Sequence, residues 1–423
     1  MKEFDYSDEN IERTVAADYF NRNIYIKNLI NYINNADEQS TYAISGEWGS
    51  GKTVFMHQLM YVINNRKILG DAKFAKAAYD EDGKKDIEVF YYNAWENELL
   101  KQPSIAILNS IIDEYCLFNT DDRTLAGETF RKLANIAIKL SSAGSLDLSD
   151  FESDKKDELN IESIKKTFKE TIDLIIKKKK CKKLIIIIDE LDRCKPTTVV
   201  SMLEEVKHFY EHDSLCFIFS ADFRQLGYTI KKMYGESFDS DLYMQRFFDA
   251  VFTLNSNEYE KYINEELLYE IDEIHIAHEI CKVAISYNAL SIRETNKFIK
   301  KYKAIEKEIF SKDHFNPEVN LVKYVFVPWG MALKYKNSNE YRLFMSGQLQ
   351  EEEITRFLGT SKDLAIWLRD CCYQNQRIQA EENISEKLFE VYKRFFGRAG
   401  FKYFGESHSD DYLRRKILSY IEF

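Results

Sequence analysis

Proline is scarce in this chain, at 4 of 423 residues, and glycine is sparse at 15. So few turn formers favour long helices and few loops. Seven cysteines are present, yet none stands in a Cys-x-x-Cys pair or at Cys/His metal spacing. Cys371 and Cys372 are adjacent and poorly placed to bridge each other. That usage fits free thiols in a reducing compartment and predicts a cytoplasmic protein. No apolar run approaches the ~18 residues of a membrane span. The first residues are acidic and polar, unlike a secretion signal. Positive charge is not in excess either. The net charge is −11, which counts against a protein that coats nucleic acid. What is there in quantity is hydrophobic residue (45%) mixed with charge (30%), the balance of a globular chain long enough for two or three domains. With 27 Tyr and 29 Phe, much of its core is expected to be aromatic.

One stretch carries an explicit chemical signal. Gly46-Glu47-Trp48-Gly49-Ser50-Gly51-Lys52-Thr53 fits the phosphate-cradling pattern G-x-x-x-x-G-K-[ST] at every position. The glycines allow a tight turn and close backbone approach to phosphate oxygens. The loop amides and the N-terminus of the following helix face the same anion. Lys52 is placed for β- and γ-phosphates, Thr53 for Mg²⁺. Val54, next along the helix, closes the candidate nucleotide-contacting stretch. Thr41–Ser45 reads as a short buried strand before the loop, and Met56, Leu59, Met60 and Ile63 recur at helical spacing after it. Strand, loop and helix is the context the pattern requires.

A second signal lies far along the chain. Leu184–Ile188 is a continuous aliphatic run, as expected of a parallel strand buried on both faces. It ends in Asp189-Glu190-Leu191-Asp192-Arg193. A carboxylate pair at such a strand end fits a Walker B site, with Asp189 holding the Mg²⁺ water shell and Glu190 orienting and deprotonating the attacking water. The bland alternative is a hydrogen-bonded helix-capping cluster. Ile87–Tyr92 and Leu215–Phe219 read as further strands, and Ala250–Leu254 as a fifth. Asn93-Ala94-Trp95-Glu96-Asn97-Glu98 follows the first of these, either as a site-facing loop with Glu96 or Glu98 near phosphate, or as a Trp packed on the sheet edge. Asp222, after Leu215–Phe219, reads either as a sensor 1 group or as a helix cap. Arg246 reads either as an arginine acting in trans or as a surface ion-pair partner. Ser291 is expected to cap a long helix, leaving Arg293 in its first turn. A cation there opposes the helix dipole and suggests an anionic partner, a sensor 2-like role.

Other features carry less. Ile26, Leu29, Ile30 and Ile33 define an amphipathic helix ahead of the loop, for packing on the sheet or for lying near the base. Lys177–Lys180, Lys182 and Lys183 form a basic cluster that suits a solvated helix end better than a nucleic-acid contact. His275 and His278 share a helix without a third ligand nearby, which favours surface histidines over a metal site. Residues 119–160 are polar and charged, an insertion. Ile417, Leu418 and Ile421 give the tail an apolar face.

Together, Gly46–Thr53, Asn93-Ala94-Trp95-Glu96, Asp189–Cys194, the Ser220-Ala221-Asp222 strand end and the Ser291-Ile292-Arg293 helix start resemble the KAP family of P-loop NTPases. That family is a branch of the additional-strand, catalytic-glutamate class related to STAND and AAA+ ATPases. The resemblance covers about residues 15–305. It implies an α/β fold with a five-stranded parallel sheet of order 5-1-4-3-2 flanked by helices, a helical lid and a C-terminal helical domain. It implies ATP and Mg²⁺ as cofactors, Lys52, Glu190 and Arg293 as candidate catalytic groups, Gly46 to Val54 and Asp222 around the nucleotide, and Thr53 with Asp189 at the metal. Many members carry transmembrane helices between the two Walker motifs; residues 100–183 here are too charged for that. The wording around Arg246 also departs from the usual family pattern.

The expected organisation is a helical lead-in over 1–40, a nucleotide core over 41–255 with a helical insertion near 100–180, a lid over 256–310 and a helical domain over 311–423. The expected function is a Mg²⁺-dependent ATPase acting as a switch. The resemblance to bacterial members suggests antiviral defence, with self-association or a separate effector protein as partner and no membrane. Two rivals stand: a nucleotide-gated oligomerisation module with negligible turnover, and an ATP-dependent nucleic-acid-binding protein.

Overall fold

The computed structural model describes residues 4–65, 86–98, 103–115, 161–209, 211–254, 260–267, 275–309, 317–361, 368, 384–397 and 407–422. The proposed insertion over 119–160 and the pair Cys371-Cys372 lie outside them. The chain divides into two compact units, Met1–Asn255 and Ser256–Phe423.

The first unit is built on five parallel strands: β1 (Ser40–Ser45), β2 (Ile87–Asn93), β3 (Lys183–Asp189), β4 (Leu215–Ala221) and β5 (Ala250–Thr253). They lie in the order β2-β3-β4-β1-β5, as expected of the additional-strand class. β4 therefore sits between the strand that leads into the phosphate loop and the strand that ends in the carboxylate pair. The aliphatic run of β3 has a direct physical reason. Side chains alternate across a strand, and both faces of this one are covered. Leu184, Ile186 and Ile188 enter the core on one face, and Ile185 and Ile187 the core on the other.

Helices α1 (Asp8–Ala17), α2 (Asn23–Asn34) and α3 (Lys52–Asn64) bury Val15, Ile30 and Phe55 in one of these cores. Helices α4 (Pro103–Glu114), α5 (Ile161–Lys179), α6 (Pro196–Phe209), α7 (Phe223–Tyr234) and α8 (Ser240–Met244) line the other, through residues such as Ile107, Ile172, Leu203 and Leu226. α6 begins at Pro196, where a missing N–H costs nothing.

The second unit is helical among its described residues. Its elements are α9 (Glu260–Leu267), α10 (His275–Tyr287), α11 (Ile292–Ile309), α12 (Pro317–Leu321), a π-helical turn (Val322–Phe326), α13 (Val327–Lys336), α14 (Ser338–Met345), α15 (Glu351–Leu358), α16 (Ile384–Phe396) and α17 (Ser407–Glu422). They share one core rich in rings. Trp329 stacks on Phe357 at 4.1 Å between centroids, and Phe344 meets Phe396 edge-on at 4.9 Å. Among the described residues no helix is long and apolar enough to cross a membrane.

Candidate functional site

The loop between β1 and α3 has the backbone its glycines imply. Gly49 and Gly51 take φ of 83° and 82°, a region open to glycine and costly for other residues. At Gly46 a Cβ would lie 2.6 Å from Ser50 Oγ, so a side chain there would push the Ser50 hydroxyl aside. The Gly46 amide donates to Ala221 O of β4 at 3.3 Å, and the Ser50 amide to Glu47 O at 3.1 Å. Arg22, at the start of α2, is buried. It donates to Gly51 O at 3.1 Å and Ser50 O at 2.5 Å, anchoring the far half of the loop.

Lys52 opens α3 and is buried. Its Nζ donates to Gly46 O at 2.7 Å and Glu47 O at 3.3 Å, and faces Asp192 Oδ2 at 3.9 Å. Burial pulls its pKa down. Asp192, Asp222 and Asp189 act against that. A buried ammonium on loop carbonyls, at a helix start whose first N–H groups have no partner within the helix, is a fit for phosphate.

β3 delivers Asp189 and Glu190. Asp189 is 1% exposed, and both of its oxygens are engaged: Oδ1 by the Glu190 amide at 2.9 Å, Oδ2 by Tyr91 O–H at 2.9 Å. Glu190 takes a left-handed backbone (φ 60°), a conformation unusual outside glycine and associated with functional sites. Its Oε1 pairs with Arg193 at 2.6 Å and its Oε2 accepts from Asn93 Nδ2 at 3.3 Å. Burial raises the Glu190 pKa, with Arg193 pulling the other way. Arg193 in turn lies over the half-exposed Trp95 ring at 5.3 Å. The hydroxyl and carboxylate donors offered by Thr53 and Asp189 are hard oxygens, the chemistry Mg²⁺ takes.

The two motifs meet through Asp192, in a short 3-10 turn (Leu191–Arg193) after Glu190. Its Oδ2 accepts from Trp48 Nε1 at 2.9 Å and from the Asp222 amide at 2.8 Å. Phosphate loop, carboxylate pair and β4 end thus converge. The Asp222 side chain caps α7, accepting from the Arg224 and Gln225 amides at 3.1 and 3.2 Å. Ser220, opposite Asp189 in the β3–β4 register, is fully buried with no hydrogen-bond partner for its Oγ. Glu98 turns away to the Lys195 amide, and Glu96 is exposed.

Arg246 is exposed, and its carbonyl accepts from Lys207. Arg293 belongs to the second unit, exposed in the first turn of α11, where Ser291 and Glu294 cap each other's backbone amides. His278 pairs with Glu306 at 3.1 Å inside that unit. In the lysine cluster, Lys178 donates to Tyr115 O and Lys182 pairs with Asp86 at 3.0 Å. Lys179 pairs with Glu88 at 3.2 Å, and Lys183 donates to Ala36 O and Asp213 O. These contacts tie α5 and the start of β3 to the fold.

Sequence reasoning missed Arg22 and Tyr91, and gave Asp192 no role. Neither Arg22 nor Tyr91 stands in a recognisable motif; each reaches the site through tertiary packing.

The family model described as KAP family P-loop domain matches residues 22–311. No curated protein matches the chain.

Proposed function

Because the chain belongs to the KAP family of P-loop domains, we propose that its nucleotide chemistry is Mg²⁺-dependent hydrolysis of ATP, used as a switch. The observation that carries this reading is the bond from Trp48 to Asp192. It brings the phosphate loop beside Asp189 and Glu190, so that binding groups and a base share one cluster.

Lys52 and the amides at the start of α3 hold the β- and γ-phosphates and balance charge as the terminal phosphoryl group transfers. Thr53 and Asp189 would hold Mg²⁺, which would supply positive charge against the phosphate oxygens. Tyr91 orients Asp189 for that task. Glu190 takes the proton of the attacking water, provided its carboxylate turns from Arg193 and Asn93. On the family resemblance we assign Arg293 the role of sensor arginine and residues 256–310 that of the lid. The biological setting we assign is bacterial antiviral defence with a separate effector protein, on the strength of the family resemblance.

The test is steady-state phosphate release. Glu190→Gln keeps nucleotide binding and loses on the order of 10²-fold or more in turnover. Full activity in that variant sinks the assignment of the base.

One observation favours a second reading. Both oxygens of Glu190 are already held, which suits a nucleotide-gated module that binds and associates while turning over little. Native mass with ATP against a slowly hydrolysed analogue separates the two: a module assembles equally with both, whereas a hydrolytic switch comes apart with ATP alone.

A further inference from the structure

Asp192 has no task in the mechanism above, yet its side chain meets three groups. Its side chain is 3% exposed. One oxygen serves three groups from three segments: the Trp48 indole N–H, the Asp222 amide at the end of β4, and the Lys52 ammonium.

The rest of the loop is secured elsewhere. Arg22 grips the carbonyls of Ser50 and Gly51, and Ala221 O takes the Gly46 amide. At the tip, the Glu47 carbonyl is held from within the loop by the Ser50 amide and Lys52 Nζ, and the Trp48 indole is tied across to another segment by Asp192. Trp48 is 57% exposed, so burial does not orient its ring. What orients it is the bond to a buried carboxylate, and hydrogen bonds to charged groups are the stronger kind. The same carboxylate faces the lysine that phosphate would engage.

We propose that Asp192 is a positioning residue: it clasps the tip of the phosphate loop to the end of β4 and holds the empty loop in its phosphate-ready shape. This inference rests on the nucleotide-site reading above. Without the clasp, the tip must be ordered when nucleotide binds, and that cost appears as lost affinity. An arriving phosphate also competes with Asp192 for Lys52, so Trp48 senses occupancy of the loop.

The experiment uses the full chain and two readouts. The first is the affinity for a fluorescent ADP analogue with Mg²⁺. The second is acrylamide quenching of Trp48 in the nucleotide-free protein, taken as the difference between the full chain and Trp48→Phe. Asp192→Ala weakens affinity about tenfold, or about 1.4 kcal/mol, and makes Trp48 more accessible to quencher. Asp192→Asn keeps an oxygen that accepts both N–H groups, so it keeps Trp48 shielded and recovers most of the affinity.

Asp192→Ala with affinity within twofold of the parent overturns the proposal, as does unchanged quenching of Trp48. A defect confined to turnover with affinity intact also overturns it. If Asp192→Ala does not fold, Trp48→Phe decides by affinity, because it leaves the carboxylate in place: a loss of threefold or more is expected, and no loss refutes the clasp. Failure of the nucleotide reading looks different: neither the parent chain nor Lys52→Ala then binds the analogue, while the quenching comparison still reports on the clasp.

Discussion

The contact most open to perturbation is the ion pair that holds Glu190. Arg193 approaches Oε1 at 2.6 Å, and Asn93 approaches Oε2 at 3.3 Å. With charges centred about 4 Å apart and an effective dielectric near 20, the Coulomb attraction is about 4 kcal/mol. Arg193 is 34% exposed and Glu190 15%, so solvent screening and the desolvation of both groups cut the net hold to about 1 to 1.5 kcal/mol. In the proposed mechanism, Glu190 leaves this pair to receive a proton from water. Removing the cation with Arg193→Gln therefore raises the fraction of free base about tenfold. The assay is phosphate release at saturating ATP and Mg²⁺, with nucleotide affinity measured alongside. A tenfold rise in turnover without a matching rise in affinity is expected. A tenfold fall would refute the reasoning, because Arg193 would then be stabilising transferred charge and not restraining the base.

Two further predictions follow from neighbouring contacts. Tyr91→Phe deletes only the hydroxyl that donates to Asp189; the Mg²⁺ concentration for half-maximal turnover should rise about tenfold, from about 1.5 kcal/mol for one hydrogen bond to a charged group, read from an Mg²⁺ titration. Ile186→Ala opens a cavity at a fully buried position of β3; the first unit should lose about 2–5 kcal/mol, read as a lower urea midpoint.

Legibility from the sequence followed locality. The phosphate loop was readable because its determinants are contiguous: glycine φ values and the helix start need only neighbouring residues. The Asp189-Glu190 pair was readable for a similar reason, since a doubly buried strand announces itself by uninterrupted aliphatics and its end by the first charge. The Ser291 cap belongs to the same class, being a bond across one helical turn. The alternatives left open at Asp222 and the lysine cluster are of another kind. Helix cap and sensor place the same carboxylate at the same strand end. Asp222 is seen capping α7 only once its oxygen is found on the Arg224 and Gln225 amides. The lysines read as a charge run until their partners, Asp86, Glu88 and two backbone carbonyls near β3, come from other segments.

By itself the sequence determined the loop that cradles phosphate, the carboxylates that follow a buried strand, and the family whose sheet order they imply. Each depends on neighbouring residues or on a periodicity that short-range sterics and solvent exposure impose. Only the tertiary structure decided how those pieces are held. Arg22 meets the loop from 28 positions away, Tyr91 meets Asp189 from 98, and Trp48 meets Asp192 from 144. Such pairs exist because parallel strands bring distant segments together at their carboxyl ends, and their register is set by burying both faces of the sheet at once.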